Sequence, residues 1–86
     1  MNNYIFKITE PSDILRGENR FLFMFSDIKT DYQNDNLNYK MIDTVINYGY
    51  LVIKQMENSI FKRIYERKAG GIKVLINELI RLKEEK

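Results

Sequence analysis

Gly49 lies inside a stretch, residues 42–76, that accepts two incompatible folds, and choosing between them constrains everything else. Ile42, Ile46, Gly49, Ile53, Met56, Ile60 and Ile64 recur at gaps of four and three, the spacing of a heptad seam on one long helix. The other fold ends a helix at Gly49 and pairs residues 50–55 with residues 59–65 in a β-hairpin turning at Glu57-Asn58. A second helix then starts after Gly70-Gly71. The first fold gives a scaffold or coiled-coil piece, the second a helical protein with a wing.

Three features favour the hairpin. Glycine inside a helix costs roughly 1 kcal/mol relative to alanine, whereas just past a helix end it supplies the left-handed residue that closes the last turn. The five residues Tyr50 to Lys54 are mostly β-branched or aromatic, and Ile60, Lys62, Ile64 and Glu66 alternate with Phe61, Arg63 and Tyr65 at period two. Asn58 tolerates the left-handed conformation of a tight turn.

At 86 residues the chain is read as a single domain, 1–86, near the lower limit at which a hydrophobic core suffices without metals or disulfides, so dimerisation would help it. With no Cys and no His, disulfides, thiolate or imidazole metal sites and Cys- or His-based catalysis are excluded. No charged-then-apolar leader precedes Tyr4 and no apolar run approaches the ~18 residues of a membrane span, so no membrane partner and a cytoplasmic location are expected.

Net charge is +2, but its distribution is uneven: residues 1–49 carry five Lys/Arg against seven Asp/Glu, and residues 50–86 carry nine against five. Lys54, Lys62, Arg63, Arg67, Lys68 and Lys73 face only Glu57 and Glu66, a composition suited either to phosphates or to an ordinary solvated surface.

Along the chain, Tyr4-Ile5-Phe6-Lys7-Ile8 is strand-like and stops before Pro11. Ser12-Asp13 starts a helix that Gly17 interrupts. Arg20-Phe21-Leu22-Phe23-Met24-Phe25 is a buried helix or a buried strand, which periodicity does not decide. Ser26-Asp27 caps a short helix over residues 28–32, and Gln33-Asn34-Asp35-Asn36 is a polar turn. Residues 37–48 form an amphipathic helix with Met41, Ile42, Val45 and Ile46 on one face, and residues 72–82 form the clearest helix of all. Asp27, Asp31 and Asp35 do not make a calcium loop, since counting from Asp31 the sixth and twelfth positions are Asn36 and Ile42 where an EF-hand needs Gly and Glu. No metal and no other cofactor is expected.

In this order, Val45-Ile46-Asn47-Tyr48-Gly49-Tyr50-Leu51 and then Ile64-Tyr65 followed by Gly71-Ile72-Lys73-Val74-Leu75 resemble the two junctions of small winged helix-turn-helix proteins of the MarR/PadR type, compact plasmid and viral versions included. Arg67 and Lys68 depart from the apolar residue and the capping Thr usual there. The resemblance implies an α+β, mainly helical winged helix-turn-helix with a β-hairpin wing and a C-terminal dimerisation helix.

It also implies double-stranded DNA as the partner. Asn36, Asn38, Tyr39, Lys40 and Thr44 would stand near base edges, Asn pairing with adenine and Lys with guanine. Lys54, Lys62, Arg63, Arg67 and Lys68 would meet phosphates or the minor groove. Asp35 and Asp43 would be unfavourable neighbours of phosphate. Leu75, Ile76, Leu79 and Leu82 would close a homodimer with recognition helices roughly 34–36 Å apart.

The function expected on this reading is sequence-specific DNA binding, as a transcription regulator or as an accessory factor at a plasmid or phage site such as a transfer origin used in conjugation or a partition locus, with a protein partner at that site possible. The competing class is a small helical protein-interaction module, such as a phage-encoded inhibitor, that does not bind DNA; helix through Gly49 to Tyr65 with a buried heptad seam would favour it. No paired acids, phosphate-cradling Gly-rich loop or nucleophile motif appears, so no enzyme is expected.

Overall fold

Three apolar seams, one on each of three helices, account for the architecture. The computed structural model describes residues 11–85, and among them every regular element is helical: α1 (Pro11–Gln33), α2 (Tyr39–Glu57) and α3 (Lys62–Glu84). On α1 the inward positions are Ile14, Gly17, Phe21 and Ile28; on α2 they are Ile42, Val45, Ile46, Gly49, Val52, Ile53 and Met56. On α3 they are Tyr65, Ala69, Ile72, Ile76, Leu79 and Leu82. Gaps of three and four keep each set on one stripe, and burying each large member contributes on the order of 1.5–3 kcal/mol.

α2 packs against both α1 and α3. Gly17 lies beside Val52, and a single point, Gly49, brings Phe21 and Ile76 together. Ion pairs fix the directions: Glu18 with Lys68 (3.5 Å) and Lys29 with Glu78 (2.6 Å) set α1 parallel to α3, while Asp43 with Lys83 and Glu57 with Lys73 (3.5 Å) set α2 antiparallel to α3. The pairs of Asp43 with Lys83 and Glu57 with Lys73 are about half exposed and worth only about 0–1 kcal/mol each, so they specify register more than they stabilise, while those of α1 are partly buried.

The connections satisfy the helix ends. At the close of α1 the Asn36 N–H donates to the Asp31 carbonyl (2.8 Å) and the Asp35 N–H to the Tyr32 carbonyl (3.2 Å), with Asp35 in the left-handed region at φ 58. The Asn38 side chain then caps α2, its Oδ1 accepting from the N–H groups of Lys40 (3.0 Å) and Met41 (3.3 Å). Between α2 and α3 the buried Ser59 turns the chain, its Oγ accepting from the Phe61 N–H at 3.0 Å and its carbonyl from the Lys62 N–H at 3.1 Å.

This architecture corrects the α+β expectation: among the described residues there is no strand, no wing and therefore no winged helix-turn-helix. Residues 50–55 continue α2, because Val52 and Ile53 are 1% and 5% exposed on its inward stripe and tertiary burial outweighs their β preference. The turn at Glu57-Asn58 is real but joins two helices, with Ser59 to Phe61 in the bend and residues 62–65 already in α3.

α3 thus begins at Lys62, before Gly70-Gly71, and both glycines lie inside it. The long-helix alternative is also only half met, since the seam is buried from Ile42 to Met56 while Ile60 and Ile64 are 86% and 68% exposed. In α1, Gly17 interrupts nothing and the separate helix over residues 28–32 is its last turns, with Ser26-Asp27 in mid-helix. The run 20–25 is helical, Phe21 inward and Phe23 74% exposed. The strand expected at Tyr4 to Ile8 lies outside the described residues.

Candidate interaction surface

The basic and polar residues expected at a DNA interface fall into two groups held apart by the length of α2. Asn36, Asn38, Tyr39, Lys40 and Thr44 lie in the α1–α2 connection and the first turns of α2, whereas Lys54 is near its other end. Fourteen residues separate Lys40 from Lys54 in that helix, roughly 21 Å at the rise of an α-helix. Several of the first group have local duties: the Asn38 side-chain Oδ1 caps α2, Thr44 Oγ donates to the Lys40 carbonyl (3.0 Å), and Tyr39 packs against the core. Asn36 and Lys40 are exposed.

Lys62, Arg63, Arg67 and Lys68 come together on the first two turns of α3, all exposed. Lys68 is tied to Glu18. The four residues expected to close a dimer are taken up by the chain's own bundle: Ile76 and Leu79 are 1% and 0% exposed, Leu82 is buried, and Leu75 packs partly buried against them.

What α3 offers to solvent is a second stripe. Ile64, Arg67, Gly71, Val74, Glu78 and Arg81 follow one another at gaps of three and four on the side of α3 away from its contact with α2, and Ile60, in the bend before the helix, continues the spacing. Ile64 and Val74 are 68% and 64% exposed, and a Cβ added at Gly70 or Gly71 would meet nothing within 4 Å. Among the described residues neither Arg63, Arg67 nor Arg81 belongs to an ion pair.

Two consecutive glycines in an exposed helix interior cost roughly 1 kcal/mol each relative to alanine, and among the described residues no contact requires them. Reading α3 only for its buried face missed this stripe. Its signal was present, because Ile60 and Ile64 share their spacing with Arg67, Gly71 and Val74.

The clefts among the described residues are open. One is lined by Tyr32, Asp35, Leu37, Tyr39, Leu82 and Glu85 at the end of the bundle, another by Met56, Glu57, Tyr65, Glu66 and Lys73 between α2 and α3. Among the described residues no three carboxylates cluster as metal ligands, and no buried side-chain polar atom lacks a partner. At the first cleft the Tyr32 hydroxyl donates to Glu85 (3.1 Å), and that hydrogen bond to a carboxylate, with the nearby negative charge, pushes the phenol above its ordinary pKa. Among the described residues no helix is long and apolar enough to cross a membrane. No protein-family model matches the chain, and comparison with curated proteins and with solved structures finds no match.

Proposed function

We propose that the chain is a small helical protein-interaction module acting in the cytoplasm, with no catalysis of its own, and that it works through the outward stripe of α3. The observation that carries this reading is the conjunction on one helix of exposed Ile64 and Val74, with exposed Ile60 just before it, open backbone at Gly70-Gly71, and Arg63, Arg67 and Arg81 outside every ion pair among the described residues. Large apolar side chains held out in a row, with charges at their edges, are the composition of a docking face.

Affinity capture with the intact chain and with an Ile64→Asp/Val74→Asp variant tests it, folding of both being checked by circular dichroism. A specific protein partner held by the native chain and lost by the folded variant is the expected result. A partner held equally by both, or none held by either, counts against it.

Nucleic acid is the second reading, supported by Lys62, Arg63 and Arg67 side by side at the start of a helix whose amino-terminal dipole is positive. It calls for a salt-sensitive mobility shift with duplex DNA that Arg63→Ala/Arg67→Ala weakens; a shift that ignores both salt and the substitution would rule this reading out.

A further inference from the structure

We infer that the partner of the α3 stripe is a second copy of this chain, docked antiparallel; this rests on the stripe being an interaction face at all. The stripe is complementary to itself in one antiparallel register. With Arg67 set opposite Glu78 of a second copy, Gly71 falls opposite Val74 and Ile64 opposite Arg81, and the two-fold repeats all three pairs. Each pair joins what the other half lacks: a cation meets a carboxylate, a missing side chain meets a branched one, and an isoleucine meets the aliphatic stem of an arginine. The open space at Gly71 is what admits Val74 and lets two helix backbones approach closely.

Charge selects the direction. On the outer stripe the first half of α3 carries Arg67, with Arg63 beside it, and the second half carries Glu78, with Arg81 one turn on. A parallel pair would set Arg67 on Arg67 and Glu78 on Glu78, whereas the antiparallel pair opposes the signs and also the helix dipoles. Glu78 already bridges to Lys29, and with its side chain 35% exposed it retains oxygen surface for a second cation. A two-fold contact of this kind is the commonest way for a chain this small to enlarge its buried apolar area.

Sedimentation equilibrium over low-micromolar to millimolar concentrations tests the pairing, using the native chain, Arg67→Glu, Glu78→Arg and the double swap. The native chain is expected to form a dimer, each single swap to weaken it by about tenfold or more, and the double swap to return it to within a few-fold of native. Lys29→Ala, which removes the bridge to Glu78 together with the ammonium over the Phe25 ring, is expected to leave the dimer within a few-fold of native. A native chain that stays monomeric throughout overturns the inference, and does so without touching the capture experiment on a foreign partner. A dimer indifferent to Arg67→Glu, or one the double swap fails to restore, overturns it equally.

Discussion

The glycines of α2 and α3 occupy the same kind of helix and do opposite things. At Gly49 a Cβ would lie 2.7 Å from Phe21 Cε1 and 2.8 Å from Ile76 Cδ1, so the absence of a side chain is what lets three helices converge. At Gly70 and Gly71 nothing stands within 4 Å, so the same absence leaves α3 smooth toward solvent and weakens its intrinsic helicity. The first glycine is explained by the chain's own fold. The second pair has no such explanation among the described residues, and the proposed interaction face supplies one.

The largest test of this contrast is at Gly49. Gly49→Leu is expected to cost about 3 kcal/mol or more, and Gly49→Ala about 1–2 kcal/mol, because overpacking exceeds the helix propensity that alanine recovers. Phe21 and Ile76 are 0% and 1% exposed and have no room to retreat. Shortening the obstacle should therefore relieve the clash: Ile76→Val combined with Gly49→Ala is expected to be less destabilising than the two single costs together, measured by urea unfolding. Strict additivity would break the account of a three-helix contact.

On the other side, Gly70→Ala and Gly71→Ala are each expected to raise the stability of the dilute chain by up to about 1 kcal/mol. A loss of stability there would mean that these positions are crowded after all.

The contrast was only partly legible in the sequence, for identifiable reasons. The buried seam from Ile42 to Met56 and the helix over residues 72–82 were written in gaps of three and four, and the polar turn at Gln33 to Asn36 in its residue types. The choice at Gly49 was not, because a glycine that ends a helix and a glycine that admits a neighbour look alike until Phe21 and Ile76 are placed around it. Val52 and Ile53 compounded this, since β-branched residues prefer strands locally and are kept helical here by burial. At the candidate surface, the cluster of Lys62, Arg63 and Arg67 was legible as charge, but the exposure of Ile64 and Val74 depends on which face of α3 the bundle consumes.

A third position completes the series: Asp35 has no glycine where the backbone would favour one. It closes α1 at φ 58, a conformation that costs an ordinary side chain something on the order of 1 kcal/mol and Asp somewhat less. Asp35→Gly is expected to raise the unfolding free energy by a few tenths to about 1 kcal/mol, and a drop would show that its carboxylate has a contact of its own.

The smallest effect lies one turn away at Tyr32. Its raised pKa favours the neutral phenol in the folded chain, so this contribution is complete below about pH 10 and is lost as pH rises through the raised folded value. A spectrophotometric titration differenced against Tyr32→Phe should show one phenol ionising above the ordinary range; ionisation at or below it would mean that the bond to Glu85 does not persist in solution.

The most direct test of the outward face of α3 is the unfolding midpoint of Gly71→Ala and of the native chain, followed against protein concentration. Pairing links the two, because association stabilises the folded chain by mass action. Gly71→Ala should be the more stable protein in dilute solution, and the native midpoint should climb with concentration while that of the variant climbs much less. A native midpoint that does not move with concentration, or a variant midpoint that moves equally, would contradict the assignment of this face to a partner helix of the same chain.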